Sequence, residues 1–175
     1  MNILTGEASD DFFGGDVPAA ARELLHQAAR AQAEQRATLL WTAQAIAPRS
    51  LAILYALCKH HAGRREFEQA ERAALRGLQE AARQVGLPED WRALERGAPP
   101  PGIDFHSDGP ARFWLFMLKA LAFIGLRSGR PDEARELLDL LAGVGAAARV
   151  GDEVTAALLA GAAGPTGPIG PLSPG

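Results

Sequence analysis

The chain has one cysteine, two lysines, one tyrosine and one asparagine among 175 residues, and each scarcity removes a class of answer. A single thiol, Cys58, excludes an internal disulfide and cannot by itself hold an iron–sulfur cluster or a structural zinc. Isoleucine and valine are also thin, 11 together against 58 alanines and leucines. Helix formers thus outnumber the residues that favour strands by about five to one, and the chain reads as all-α. Charge of one sign is missing too. The formal net charge of −3 excludes the strongly basic field that non-specific nucleic-acid binding requires. No basic segment followed by an apolar one opens the chain, and the most apolar run, Phe113 to Leu126, is broken by Lys119. A cytoplasmic protein with no membrane span is the expectation. Nucleotide and hydrolase signatures such as GxxxxGK[ST], HExxH and GxSxG are absent, so neither an enzyme nor a cofactor is expected.

What is present is a set of helical segments with clear punctuation. Asp16 before Val17-Pro18 reads as an N-cap, and Pro48 closes a stretch long enough for one helix pair. Ser50 caps the next helix, which runs to Gly63. Another spans about Glu66 to Val85, with Phe67, Ala70, Ala74, Leu78 and Ala81 on one face. Pro88 to Trp91 opens a helix of about two turns, and a Gly/Pro-rich loop follows at 97–102. A long helix resumes near Pro110 and ends at Ser128-Gly129, and its partner runs from Pro131 to about Leu141. The chain thus divides into an acidic N-terminus (1–16), a helical domain (17–148) with an insertion at 85–114, a terminal helix (149–160) and a Gly/Pro tail (161–175).

The helix pairs recur at a fixed interval. Windows of 34 residues from Val17 and Leu51 superpose Leu24 on Cys58, Leu40 on Ala74 and Ala43 on Gly77. After the insertion, a third window from Leu115 aligns Leu54, Leu57 and Cys58 with Leu118, Leu121 and Ala122. Leu54-x2-Leu57-Cys58, Leu118-x2-Leu121-Ala122, the turn Gly129-Arg-Pro-Asp-Glu-Ala134 and Leu40-x2-Ala43-x4-Pro48 resemble the tetratricopeptide repeat (TPR). The sequence departs from that pattern at His61 and Gly125, where an aromatic is expected, and at Arg36, where a small residue is. The resemblance implies about three helix-turn-helix pairs in a short right-handed solenoid whose first helices line a concave groove. Leu54-Tyr-Ala-Leu-Cys-Lys59, Ala70 to Leu78, Pro88-Glu-Asp-Trp91 and Phe116 to Ile124 are also similar to small TPR proteins encoded among bacterial nitrogen-fixation genes. That likeness implies an accessory role beside nitrogenase or a maturation factor.

Candidate binding residues follow from helical spacing. Phe116, Lys119, Phe123 and Arg127 share one stripe; Tyr55 and Lys59 occupy the equivalent stripe of the second repeat, and Arg22 that of the first. Both lysines of the chain fall here. Rings interleaved with cations suit a protein segment that carries carboxylates. The bland alternative is that the rings are core and the lysines solvated. Homodimerisation is the first competing function.

Four other features are ambiguous. Cys58, His60 and His61 could offer soft metal ligands, although Cys58 reads first as a small buried contact residue. Asp104, His106 and Asp108 read as a loop cap more readily than as a metal or acid–base trio. Trp91 is either an anchor for the insertion or a contact for a partner. Residues 1–16 carry Glu7, Asp10, Asp11 and Asp16 and no base, while 17–150 carry a surplus of three positive charges. The acidic segment is either a solvated tail or folds back on the basic body, keeping that surface from wrong partners until a stronger ligand arrives.

Overall fold

The computed structural model describes residues 13, 16–94, 102–105 and 107–145. Among the described residues, six α-helices and one 3-10 turn are laid out between residues 19 and 145, and no strand occurs. They are α1 (Ala19–Arg30), α2 (Ala33–Ile46), α3 (Leu51–Gly63), α4 (Phe67–Val85), α5 (Gly109–Arg127) and α6 (Pro131–Gly145). Turns of two or three residues join α1 to α2, α3 to α4 and α5 to α6, so each pair folds back on itself as a helical hairpin. Every helix packs on its neighbours in sequence, and α3 also touches α5. The terminal helix expected at 149–160 and the Gly/Pro tail at 161–175 lie outside the described residues.

The small face of α4 determines how closely α5 approaches. Ala70, Ala73, Ala74, Gly77, Leu78 and Ala81 are buried on it, and α5 answers with Phe113, Trp114, Leu115, Met117 and Leu118 among its buried residues. At Gly77 a Cβ would meet Phe113 Cε1 at 3.0 Å, so a side chain there would force the phenyl ring to move. Ends are set locally. Gly86 adopts the left-handed conformation (φ 77°) that closes α4, and the Leu87 N–H donates to the Ala82 carbonyl at 2.8 Å. Asp108 caps α5 by accepting from the Ala111 N–H at 3.0 Å, with Pro110 in the first turn.

Several boundaries differ from the sequence reading. Asp16 is not the cap of the first helix: Pro18 occupies that position, and Asp16 lies 3.8 Å from Arg22 one turn on. Ser50 sits at the cap position of α3, but its hydroxyl makes no capping bond. The expected two-turn helix after Pro88 is a single 3-10 turn, Trp91–Ala93, opened by Asp90 accepting from the Arg92 N–H. The expected insertion of 85–114 shrinks, because α5 already begins at Gly109. The partner of α5 runs on to Gly145 rather than stopping at Leu141. Arg36, where the resemblance expects a small residue, bonds the carbonyls of Ala28 (2.9 Å) and Ala31 (2.8 Å). A long cation there satisfies the acceptors at the end of α1, which a small residue could not reach.

Ion pairs tie the pairs together at two seams. Arg130, in the turn before α6, holds both carboxylate oxygens of Glu71 on α4 at 2.7 and 2.8 Å, and Glu133 as well. Glu80 on α4 is only 4% exposed, yet it accepts from Arg49 (2.8 Å), Arg83 (2.8 Å) and Gln84 (2.9 Å). Burial alone would raise the Glu80 pKa; Gln84, Arg49 and Arg83 reverse that and hold it below the ordinary carboxylate value. Arg49 belongs to the α2–α3 connection, so this carboxylate fastens the first helix pair to the rest.

One helix, α5, is long and apolar enough to cross a membrane by length and composition, and over half of that stretch is buried inside the protein. A core helix has this character: ten residues of α5 are buried and only Arg127, at its end, is exposed.

Candidate functional site

The predicted groove residues separate into a cluster and outliers. Tyr55 of α3 and Phe116 of α5 meet edge to face, with ring centroids 5.2 Å apart. Lys59, one turn after Tyr55, places its ammonium 5.8 Å from the Tyr55 ring centre. Lys59 itself is exposed, so the ring quadrupole contributes on the modest scale of surface cation–π contacts. Burial by its neighbours lowers the Lys59 pKa and, together with Cys58, raises that of Tyr55. Phe123 is half-buried against the core, and Arg127 is exposed at the end of α5. At 1.5 Å per residue, Arg127 lies about 16 Å along the axis from Phe116. Arg22 bonds the Val17 carbonyl at 3.0 Å and faces Asp16, so it serves its own N-terminal turn.

The expectation that Tyr55 and Phe116 line an open groove is corrected. Tyr55 is buried and Phe116 half-buried because a residue from outside α1 to α6 covers them. Phe13 inserts its ring between the two helices, 5.3 Å from Tyr55, 4.8 Å from Phe113 and 6.0 Å from Phe116. It is fully buried, and its contact with Phe113 is perpendicular, the favourable edge-to-face arrangement. Four rings from three separate parts of the chain thus form one seat. Sequence reasoning missed Phe13 and Phe113. Residues 1–16 were weighed for charge alone, although Asp-Asp-Phe-Phe at 10–13 already joined rings to acids.

Trp91 is buried at 6% exposure, with the Arg92 guanidinium stacked 4.3 Å from its ring centre. Arg92 also reaches Glu133 on α6 at 3.0 Å. The indole therefore anchors the connection between α4 and α5 and is not offered to a partner. In the Asp104–His106–Asp108 trio, His106 lies outside the described residues. Asp104 accepts from Ser107 through both backbone and hydroxyl, and Asp108 caps α5, so both acids are turn formers.

The donor set expected from Cys58, His60 and His61 is also rearranged. Cys58 is buried, and burial pushes its thiol pKa up to about 12, which leaves it protonated and inert at neutral pH. His60 and His61 instead gather with Glu66, their ligand atoms all within 4.8 Å of one another. His61 Nδ1 lies 2.7 Å from Glu66 Oε2, while Arg64 holds the other Glu66 oxygen at 2.6 Å. Bonds from His61 and Arg64 keep the Glu66 pKa low, and burial followed by the charge of His61 lowers that of His60. The group closes the α3–α4 turn. A divalent metal there would have to part the 2.7 Å contact between His61 Nδ1 and Glu66 Oε2.

A second surface was not foreseen. Trp41, Leu54, Leu57 and Ala73, with Arg72 and Arg76 at the rim, line a shallow apolar cleft of about 220 Å³ between α2, α3 and α4. Trp41 is 41% exposed there, unusual for so large a ring. Periodicity could not reveal it, since Trp41 falls on a helix with no pronounced apolar side.

The chain matches no family model, no curated protein and no solved structure. What is shown is the class: an all-α protein built of helical hairpins, with an aromatic seat between α3 and α5.

Proposed function

We propose that this protein is a TPR-like interaction module, an adaptor or chaperone-like accessory factor that binds a segment of another protein at the seat between α3 and α5. The observation that carries the reading is the seat itself, where Tyr55 and Phe116 enclose a phenylalanine that arrives from elsewhere in the chain. Apolar contact comes from Tyr55 and Phe116, and charge pairing from Lys59 and Lys119. Phe123, Arg127 and Arg22 extend the surface toward the ends of the helices. The hairpin order, in which first helices α3 and α5 of successive pairs touch, supports a solenoid. The client implied by the sequence resemblance is a nitrogenase-related protein or maturation factor.

Affinity capture from the native source at moderate salt tests the reading, comparing wild type with a Lys59→Glu, Lys119→Glu double variant of unchanged helicity. A partner retained by wild type and lost by the variant is the expected result. Capture that survives both substitutions would rule out the seat as the binding site.

A second reading is self-association, and the exposed Trp41, Ile46 and Leu75 favour it. Large apolar side chains left in water mark contact surfaces. On this reading two copies cover the Trp41 cleft, and sedimentation gives a mass that rises with concentration and reverts to monomer in Trp41→Glu. A concentration-independent monomer would dismiss it.

A further inference from the structure

We infer that the segment carrying Phe13 is an internal ligand of the aromatic seat, and that the partner which displaces it is an acidic protein segment bearing a phenylalanine. The inference rests on the reading of the seat as a protein-binding site and adds the chemistry of what it takes and how it is kept closed.

Phe13 enters the seat as a peptide anchor enters a pocket. Its neighbours are Tyr55 from α3 and Phe113 and Phe116 from α5, and none of them belongs to the α1–α2 hairpin that follows it in the chain. The ring is fully buried. Removing it would leave a gap with three aromatic walls between two helices that otherwise touch little. In sequence, Phe13 is followed by Gly14-Gly15, which permit many backbone conformations, and only then by Asp16 and the first helix.

Charge points the same way. Asp10 and Asp11 precede Phe13 and Asp16 follows it, with no base from residue 1 to 16. The walls of the seat carry the only two lysines of the chain, Lys59 one turn from Tyr55 and Lys119 one turn from Phe116. A competing segment needs a ring to replace Phe13 and carboxylates to meet those lysines. Basic or purely aliphatic segments lack one or both. Because a short tether presents its ligand at roughly millimolar effective concentration, the seat is closed to weak competitors and opens only to a segment that binds better or arrives on a multivalent partner.

A fluorescently labelled peptide of residues 1–16, titrated into the full-length protein and followed by anisotropy, tests this. The full-length Phe13→Ala variant should bind the peptide at least tenfold more tightly than wild type does, because its own plug no longer competes. A peptide that itself carries Phe13→Ala should bind neither protein. If Phe13→Ala fails to fold, Asp10→Lys/Asp11→Lys takes its place: it removes no buried ring, and should admit the peptide with a smaller gain over wild type. Equal binding to wild type and variant, or no binding to a variant that is folded by circular dichroism, would overturn the proposal. The two readings fail separately. Loss of peptide binding alongside lysine-dependent partner capture would sink only the internal ligand. A peptide that seats as expected, with capture indifferent to the lysines, would sink the partner assignment and leave the plug standing.

Discussion

The first helix pair and the remaining two are built from the same residue types but to different standards of packing. Helix α1 fully buries only Ala21 and Ala28, and α2 only Leu40, Ala43 and Gln44. Helix α5 alone buries ten residues, among them Phe113, Trp114, Met117 and Leu118. Apolar area removed from water dominates stability at about 25 cal/mol per Å², so the free energy holding the molecule together is concentrated in α3 to α6. The hairpin of α1 and α2 leans on that body through a thin α2–α3 contact, Glu80 with Arg49, and the N-terminal residues Phe13 and Val17. An amphipathic pattern makes a helix; large side chains meeting small ones make it rigid. Helix α1 has the pattern without the contrast in size, and α2 has no pronounced apolar side at all.

Paired truncations should expose the difference most strongly. Phe113→Ala removes a ring that touches Phe13 and fills the space above Gly77, and should cost about 3–5 kcal/mol in urea denaturation. Leu40→Ala, the largest comparable deletion in the hairpin, should cost about 2 kcal/mol, since a loosely held element can close over the gap. Equal losses would mean that the hairpin is as tightly integrated as the body.

Glu80→Ala comes next. It leaves Arg49 and Arg83 without their shared partner, and on the scale of charged hydrogen bonds should cost about 1–3 kcal/mol. Hydrogen exchange should then quicken across α1 and α2 more than across α4 to α6. Uniform acceleration would place Glu80 in the global core and not at a seam.

The mildest effect is the response to acid. His60 has its folded pKa below the ordinary 6.5, so the unfolded chain takes up that proton more readily and stability begins to fall as the pH drops below that value. Glu66 and Glu80 are held below the ordinary 4.5; their contribution is present above that value and lost as the pH falls through their folded pKa values. Thermal melts should therefore weaken in two stages on the acid side. His60→Gln should erase the upper stage and Glu80→Gln much of the lower. A melting temperature that stays flat as the pH falls below 6.5 would contradict the His60 assignment, and one that stays flat as it falls below 4.5 would contradict those of Glu66 and Glu80.

Much of this architecture could be read in advance, and for physical reasons. Helix formers, glycine stops and proline starts are local signals, so the long helices and the Gly86 stop of α4 emerged close to where they lie. Signals that depend on distant partners did not. Asp16 has the composition of a cap, yet Pro18 takes that place. Trp91 and Tyr55 could each be core or surface, and only packing decides. Phe13 was invisible as a seat residue because its three partners lie 42 to 103 positions away, and no periodicity links residues so far apart. Helical spacing placed Phe116 on one stripe and Tyr55 with Lys59 on another, and that is the portion of the candidate site the sequence conveyed; the contact between the two rings was not.

The distance between Phe13 and its seat also orders events at birth. Phe113 follows Phe13 by 100 residues, so at typical synthesis rates the ring waits roughly 5–20 s before its last walls leave the ribosome. During that interval an Asp-Asp-Phe-Phe segment is exposed ahead of an unfinished domain. Closure of the seat then waits on α5, and the burial of Phe13 reports that the chain has been translated through that helix.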